Sequence, residues 1–298
     1  YEAVMTFDES DVLVYYYITA SNDEEDSSIL PYNGSENPFM FIYGELDNFI
    51  YDSFNTDTGW SNGLNDDATG GIWERAIPNG TTYQGEQVQP GEDNSSTDDY
   101  CYVTGNGVGE SVGFDDIDGG VTSIISPTYD LSEYTSVLLT YFRWFTNNLG
   151  DNPSSDRFYV QASNDNGVTW IDLENTNLSN NSWERKRFLL SDYIDLSSEV
   201  VFKIQAEDIF YNQDFGSGGS LVEAALDDFK IDIISYNGFI GDINTDSVIN
   251  VLDIVLLINF ILDLQTPEGN QFSLSDINGD SVLNVLDVVL LVNLILDN

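Results

Sequence analysis

Histidine is absent from this 298-residue chain, cysteine occurs once, and 8 lysines and arginines stand against 52 aspartates and glutamates. Without histidine there is no Ser-His-Asp or Cys-His catalysis and no histidine-ligated zinc. A single cysteine, Cys101, forms no internal disulfide. In the setting Tyr100-Cys101-Tyr102-Val103 it reads as a small core residue. The net charge of −44 repels nucleic acid and anionic membranes, since both are bound through basic patches. No apolar run reaches the roughly 18 residues of a membrane span, and no segment resembles a signal peptide. The acid excess suits a protein that stays soluble in salt or binds divalent cations, with most of the acids forming a solvated surface. The chain starts at Tyr1, not Met, and is expected to be the C-terminal part of a longer protein.

What is present is hydrophobic content of 41%, enough for real cores, over a length that allows two or three domains. Residues 1–45 hold two strand-like runs, Val12–Ala20 and Phe39–Tyr43, rich in β-branched and aromatic residues. The segment resembles the closing strands of an incomplete immunoglobulin- or fibronectin-like module.

Residues 46–236 read as all-β. Candidate strands are Val121–Ile125, Ser136–Phe142, Arg157–Ala162, Arg187–Leu190, Val200–Ala206 and Phe229–Ile233, punctuated by Gly, Asn, Asp and Ser. This pattern predicts a β-sandwich, specifically a jelly roll. The stretch Asn55–Asp118 is too long for a plain loop. Its aromatics, Trp60, Trp73, Tyr83, Tyr100 and Tyr102, either pack the core or offer ring faces to a sugar. Asp115-Asp116-Ile117-Asp118 is an acidic turn with potential cation affinity. Ser163-Asn164-Asp165-Asn166-Gly167-Val168-Thr169-Trp170 fits the Asp-box and predicts a hairpin turn, not an activity.

The opening Asp47–Phe54, the following Gly59-Trp60 and the closing Glu223–Phe229 together resemble MAM-like and carbohydrate-binding jelly rolls of secreted bacterial hydrolases. That resemblance implies neighbouring first and last strands and a structural calcium, with Asp52, Asp227 and Asp228 as candidate ligands. The alternative is that these aspartates cap strands or face solvent.

The most specific signal lies at the C-terminus. Asp242-Ile243-Asn244-Thr245-Asp246-Ser247-Val248-Ile249-Asn250-Val251-Leu252-Asp253 returns 34 residues later as Asp276-Ile277-Asn278-Gly279-Asp280-Ser281-Val282-Leu283-Asn284-Val285-Leu286-Asp287. Oxygen side chains stand at positions 1, 3, 5, 9 and 12, the spacing of an EF-hand-type calcium loop. Asp242, Asn244, Asp246, Asn250 and Asp253 would ligate in the first loop, with the backbone carbonyl of Val248 at position 7. Asp276, Asn278, Asp280, Val282, Asn284 and Asp287 repeat the set. Ser247 and Ser281 replace the glycine of position 6, and aspartate replaces glutamate at position 12. The loops imply two bound Ca2+, with folding coupled to binding. An apolar helix follows each loop, and so small a domain cannot bury both helices completely.

Given twice, Asp-x-Asn-x-Asp-Ser-x-x-Asn-x-x-Asp resembles a type I dockerin over residues 240–298. The resemblance implies docking to a cohesin through Val251, Leu252, Ile258 and Asn259, and through Val285, Leu286, Val292 and Asn293. Their near-repetition implies that either half docks. The apolar pairs depart from the common Ser-Thr recognition pair, and packing against the β-module is the alternative. The expected molecule is therefore multidomain and mainly β, with a small all-α calcium-binding domain. Its expected role is non-catalytic: secreted or held at a cell surface by a cohesin, and attached to an upstream peptidase or glycoside hydrolase. The alternatives are a polysaccharide-binding module and a structural or adhesive surface protein.

Overall fold

A computed structural model describes residues 13–21, 27–30, 38–42, 45–95, 99–107, 112–150, 152–209, 220–235, 240–246, 248–268 and 270–297. Two compact units emerge. One is Asp47–Ile233; the other comprises Tyr1–Leu46 and Ile234–Asn298.

In the second unit, the N-terminal segment forms two antiparallel ladders. Strand β1 (Leu13–Tyr16) pairs with β4 (Phe39–Ile42), and β2 (Ile18–Ser21) pairs with β3 (Ser27–Leu30). The single strand expected over Val12–Ala20 is thus two, divided at Tyr17; Val12 lies outside the described residues. The C-terminal segment carries α1 (Val251–Ile261), α2 (Gln271–Ser275) and α3 (Val285–Asp297). Its core is Ile243, Leu257, Phe260 and Leu291, with Ile254 and Val288 packed alongside. Leu257 and Leu291 stand at the same place in the two repeats, so the repeat supplies both sides of one core.

The larger unit is a β-sandwich. Its first sheet has the order β15 (Asn180–Leu189), β12 (Val137–Thr146), β17 (Glu223–Ser235), β10 (Cys101–Thr104), β7 (Trp73–Ala76), with β5 (Glu45–Asp52) also on β17. The second sheet runs β14 (Ile171–Thr176), β13 (Phe158–Ser163), β16 (Val201–Asp208), β11 (Gly120–Ile125), β6 (Ser61–Asn62). The first and last strands of the unit, β5 and β17, are neighbours, and one continuous core joins the sheets. Alternate residues of β12 (Val137, Leu139, Tyr141) and β16 (Phe202, Ile204, Ala206) point into it, as the two-residue period of a strand requires. Trp60, Phe54, Tyr102 and Phe229 meet edge to face within it, with ring centroids 5.0–5.5 Å apart.

Strand β17 is buried on both faces. Ala225 packs on its outer side with Cys101, Val103 and Trp144. Nearby, a hairpin of β8 (Thr81–Tyr83) and β9 (Glu86–Gln89) is tied down where the Val88 carbonyl accepts from Trp144 Nε1 at 2.8 Å. Cys101 is wholly buried, and burial pushes its thiol well up. Strand pairing slips between Thr140 and Phe142, leaving one extra residue in β17. Asp228 takes the left-handed φ of 49° there, and the extra residue lets Leu226 and Phe229 both face the core while Asp227 stays on the outer side with Ala225.

The Asp-box is the turn between β13 and β14. Ser163 Oγ donates to Asp165 Oδ1 at 2.6 Å, and the Thr169 amide donates to the same oxygen at 2.8 Å. Gly167 has φ 85° and lies against the Trp170 ring, so it is required twice over, by backbone angle and by space. Trp60, Trp73 and Tyr102 prove to be core residues.

Candidate metal centre and docking face

The two loops before α1 and α3 have the same internal wiring. In the first, Asp242 Oδ1 and Asn244 Oδ1 both accept from the Asp246 amide, at 3.1 and 3.0 Å, and Asp246 Oδ1 accepts from Val248 N at 3.0 Å. In the second, Asp276 Oδ1 and Asn278 Oδ1 accept from the Asp280 amide at 3.1 and 3.0 Å, and Asp280 Oδ1 accepts from Val282 N at 2.9 Å. These bonds turn the short side chains of positions 1, 3 and 5 inward along one loop. Val248 and Val282 expose their side chains, leaving their carbonyls as the useful atoms.

Position 12 closes each loop onto its helix. Asp253 Oδ1 accepts from the Ile243 and Asn244 amides at 2.8 and 3.0 Å, and its Oδ2 from Asn250 N at 2.8 Å. Asp287 does the same with Ile277, Asn278 and Asn284, at 3.0, 3.4 and 2.9 Å. Asn250 and Asn284 are the helix N-caps, each accepting at 2.8 Å from an amide two residues on, Leu252 N and Leu286 N. Position 9 therefore fixes the start of the helix as well as standing in the loop, a role its place in the ligand pattern did not reveal. Position 6 of the second loop, Ser281, adopts φ 64°, the left-handed angle for which EF-hands use glycine. Ser247 lies outside the described residues.

The donor set fits a hard cation. Asp242, Asp253 and Asp287 are completely buried. No Lys, Arg or His follows Lys230, so this segment contains no side-chain cation to neutralise them. Buried carboxylates without a counter-charge are costly, and each oxygen that accepts one amide keeps a second lone pair. Among the described residues, no three Cys, Asp or Glu groups are gathered to hold a metal by themselves. Any shell here must then mix carboxylate, amide and carbonyl oxygens, which is the way calcium loops are built.

The helices bury one side and expose the other. Leu257 and Phe260 of α1 and Leu291 of α3 are buried. Val251, Leu252, Val255 and Ile258 form an exposed apolar stripe on α1, matched on α3 by Val285, Leu286 and Val289. Val285 is 67% exposed. Val292 and Asn259 are half-buried, and Asn293 is exposed.

The aspartates singled out in the sandwich have other partners. Asp52 Oδ1 accepts from Phe54 N at 2.9 Å, and Oδ2 from Trp60 Nε1 at 3.0 Å and from the Thr58 hydroxyl, which staples the turn after β5. Asp227 and Asp228 come together instead through Asn94, whose amide donates to Asp227 Oδ2 at 2.8 Å and whose side chain donates to Asp228 Oδ2 at 2.6 Å. Asn94 sits in the stretch read only as a long polar segment, and nothing in the sequence marks it.

The family model of the dockerin type I domain matches residues 240–296. This C-terminal segment is a dockerin type I domain, a calcium-binding module. The sandwich is similar to the K1 cleaved adhesin domain of Lys-gingipain from Porphyromonas gingivalis W83. Identity is 16%, with 63% of this chain and 98% of that one covered and a TM-score of 0.38. It is similar also to the CBM22-1 xylan-binding domain of Paenibacillus barcinonensis Xyn10C, at 10% identity over 64% of this chain and 96% of that one, with a TM-score of 0.33. No curated protein matches the chain. Among the described residues, no helix is long and apolar enough to cross a membrane.

Proposed function

We propose that this region is a non-catalytic attachment unit, in which two calcium-filled loops hold the dockerin helices in register and an exposed apolar stripe docks to a cohesin outside the cell or at its surface. The observation that carries this reading is the duplicated stripe, Val251-Leu252 with Val255 and Ile258, and Val285-Leu286 with Val289. Large apolar side chains at matched positions on two helices are what an interface core requires. Calcium acts by converting repulsion among the loop carboxylates into coordination. Asp242, Asn244, Asp246, Val248, Asn250 and Asp253 supply oxygens to one ion, and Asp276, Asn278, Asp280, Val282, Asn284 and Asp287 to the other. Each loop then fixes the N-cap of the helix behind it, so the stripe exists in order only when the ion is bound.

The test is capture by a panel of immobilised cohesins, in calcium and in chelator. Binding is expected in calcium alone. Because the stripes repeat, Val285→Asp with Leu286→Asp should leave binding within a few-fold, as should Val251→Asp with Leu252→Asp. All four changes together should abolish it. Undiminished binding by the fourfold variant would overturn the reading.

A second reading, that the sandwich also holds polysaccharide, rests on an open groove of about 580 Å³ lined by Asn65, Asp67, Ser123, Trp170, Lys203 and Gln205. A tryptophan beside polar side chains suits a sugar ring, though Lys203 Nζ lies 4.7 Å from the Trp170 ring centre. Polysaccharide retention that is lost in Trp170→Ala and kept in the fourfold docking variant would establish it. Equal retention by Trp170→Ala would remove it.

A further inference from the structure

The two loops differ in one residue with chemical consequences. Position 3 is asparagine in both, but it is followed by Thr245 in the first loop and by Gly279 in the second. An asparagine followed by glycine is prone to close on itself. The next backbone nitrogen attacks the side-chain amide carbon, and glycine has no Cβ to stand in the way. Threonine, branched at Cβ, crowds its own amide and stiffens the chain beside it. Asn278 and Gly279 are both exposed to water, and nothing lies within 4 Å of where a Cβ on Gly279 would be, so no neighbour shields the pair.

In the closed loop both reacting groups are engaged. Asn278 Oδ1 accepts from the Asp280 amide at 3.0 Å, its Nδ2 donates to Asp280 Oδ2 at 2.9 Å, and the Gly279 amide donates to the Asp276 carbonyl at 3.3 Å. These bonds fix the torsions that must turn before a ring can close. The site presupposes the calcium occupancy proposed for the loops: the ion takes a lone pair of Asn278 Oδ1 and adds a further restraint. Without the ion, the carboxylates of Asp276, Asp280 and Asp287 repel one another, and only a small core holds the segment together.

Four other Asn-Gly pairs among the described residues provide the contrast. The Gly63 amide donates to the Ser123 carbonyl at 3.0 Å, and the Gly167 amide to Ser163 Oγ at 2.9 Å. Asn106 Oδ1 accepts from the Asn79 amide at 2.8 Å and its Nδ2 donates to the Ile77 carbonyl at 2.9 Å, while Asn79 Nδ2 donates to the Asn106 carbonyl at 3.3 Å. All four pairs belong to the sandwich, whose core does not depend on the calcium loops.

We propose that Asn278-Gly279 is a site of spontaneous backbone rearrangement, guarded by calcium and missing from the first loop. The Gly279 nitrogen bonds to Asn278 Cγ, and the Cγ–Nδ2 bond breaks. The amide nitrogen leaves as ammonia, taking the proton that the Gly279 nitrogen gives up. Water then opens the cyclic imide, at Cγ to give aspartate or at the backbone carbonyl carbon to give isoaspartate. Nothing is oxidised or reduced. The isoaspartyl product runs the main chain through the former side chain, which adds a methylene between positions 3 and 4 and displaces the oxygen ligand. The second loop is then lost permanently, while the first, with Thr245, continues to bind. Time spent without calcium is recorded in one half of a near-symmetric module.

The test is incubation of the full-length chain at neutral pH, in calcium or in chelator, with peptide mapping by mass spectrometry to detect the amide-to-acid mass gain and isoaspartate. Asn278 should convert about tenfold or more faster in chelator, because the closed loop opens only rarely. Asn244 and the four sandwich pairs should convert equally slowly in both. All five tryptophans, Trp60, Trp73, Trp144, Trp170 and Trp183, lie in the sandwich, so unchanged fluorescence shows that it stays folded throughout. Aged protein returned to calcium should bind one ion fewer than fresh protein by equilibrium dialysis. Gly279→Ala should suppress the conversion in chelator, where the loop is open in either chain. Fresh protein that binds calcium at both loops yet converts Asn278 equally fast with and without it would overturn the proposal and leave the dockerin reading standing. Fresh protein that binds no calcium would overturn both, and conversion at an unchanged rate in Gly279→Ala would overturn the role of the glycine.

Discussion

Position 4 of each calcium loop is left-handed, with φ 56° at Thr245 and 71° at Gly279. A β-branched residue at that angle costs on the order of 1–2 kcal/mol that glycine largely avoids. Thr245→Gly is therefore expected to tighten calcium at the first loop about fivefold, roughly 1 kcal/mol, and Gly279→Thr to weaken the second similarly. Calorimetric titration of each variant measures the change, and an unaltered first-loop affinity would show that the loop tolerates the strain. Asp227 carries a different residue-level consequence. Burial pushes it from 3.8 up to about 8, with the Asn94 amide opposing and Asp228 adding. The folded chain then holds a proton that the unfolded chain has released. Stability is accordingly lost as pH rises from about 4 towards 8, by up to about 1.4 kcal/mol per pH unit for one such group. The urea midpoint, followed by tryptophan fluorescence in chelator, should fall between pH 5 and pH 8.5, and fall less in Asp227→Asn. Parallel curves for the two proteins would refute this account.

Among the elements, three strands from two sheets are clipped together by one buried ion network. Arg143 of β12 bonds Glu174 of β14 at 2.8 Å and Glu184 of β15 at 3.0 Å, and the Tyr141 hydroxyl donates to Glu174 at 2.7 Å. Arg143→Ala would strand a buried Glu174 and is expected to cost about 3–5 kcal/mol by urea unfolding. A loss below about 1 kcal/mol would mean that Lys186, at 3.6 Å from Glu174, takes over. Strands such as β12, β13 and β16 were legible because long aromatic and β-branched runs announce them. The four strands β6 to β9 were not. Ser61-Asn62 and Thr81–Tyr83 are too short and polar to signal anything, and they become strands only because a neighbour offers a ladder. The dockerin segment was legible because its loop pattern occurs twice. The hydrogen bonds of the sandwich aspartates were not legible: Asp52 holds its own turn, Asp227 and Asp228 accept from Asn94, and Asp228 also accepts from the Tyr51 hydroxyl beside Asp52.

For the whole molecule, the two kinds of fold answer to calcium differently. Chelator at room temperature should remove most of the helical far-ultraviolet signal while tryptophan fluorescence stays native, because the sandwich core is large and the dockerin core is built on four buried side chains. Helicity that survives the chelator would sink the coupling of loop and helix. The mirrored stripes have one more effect, and it is statistical. If either stripe docks, two equivalent ways of seating would double the number of productive encounters and add RT ln 2, about 0.4 kcal/mol, to the affinity with no additional contact. Half of the bound molecules would then face the opposite way from the rest. A cargo fixed rigidly to the dockerin would sample two headings on the same socket, so neighbours crowded on one scaffold could turn aside from one another without letting go.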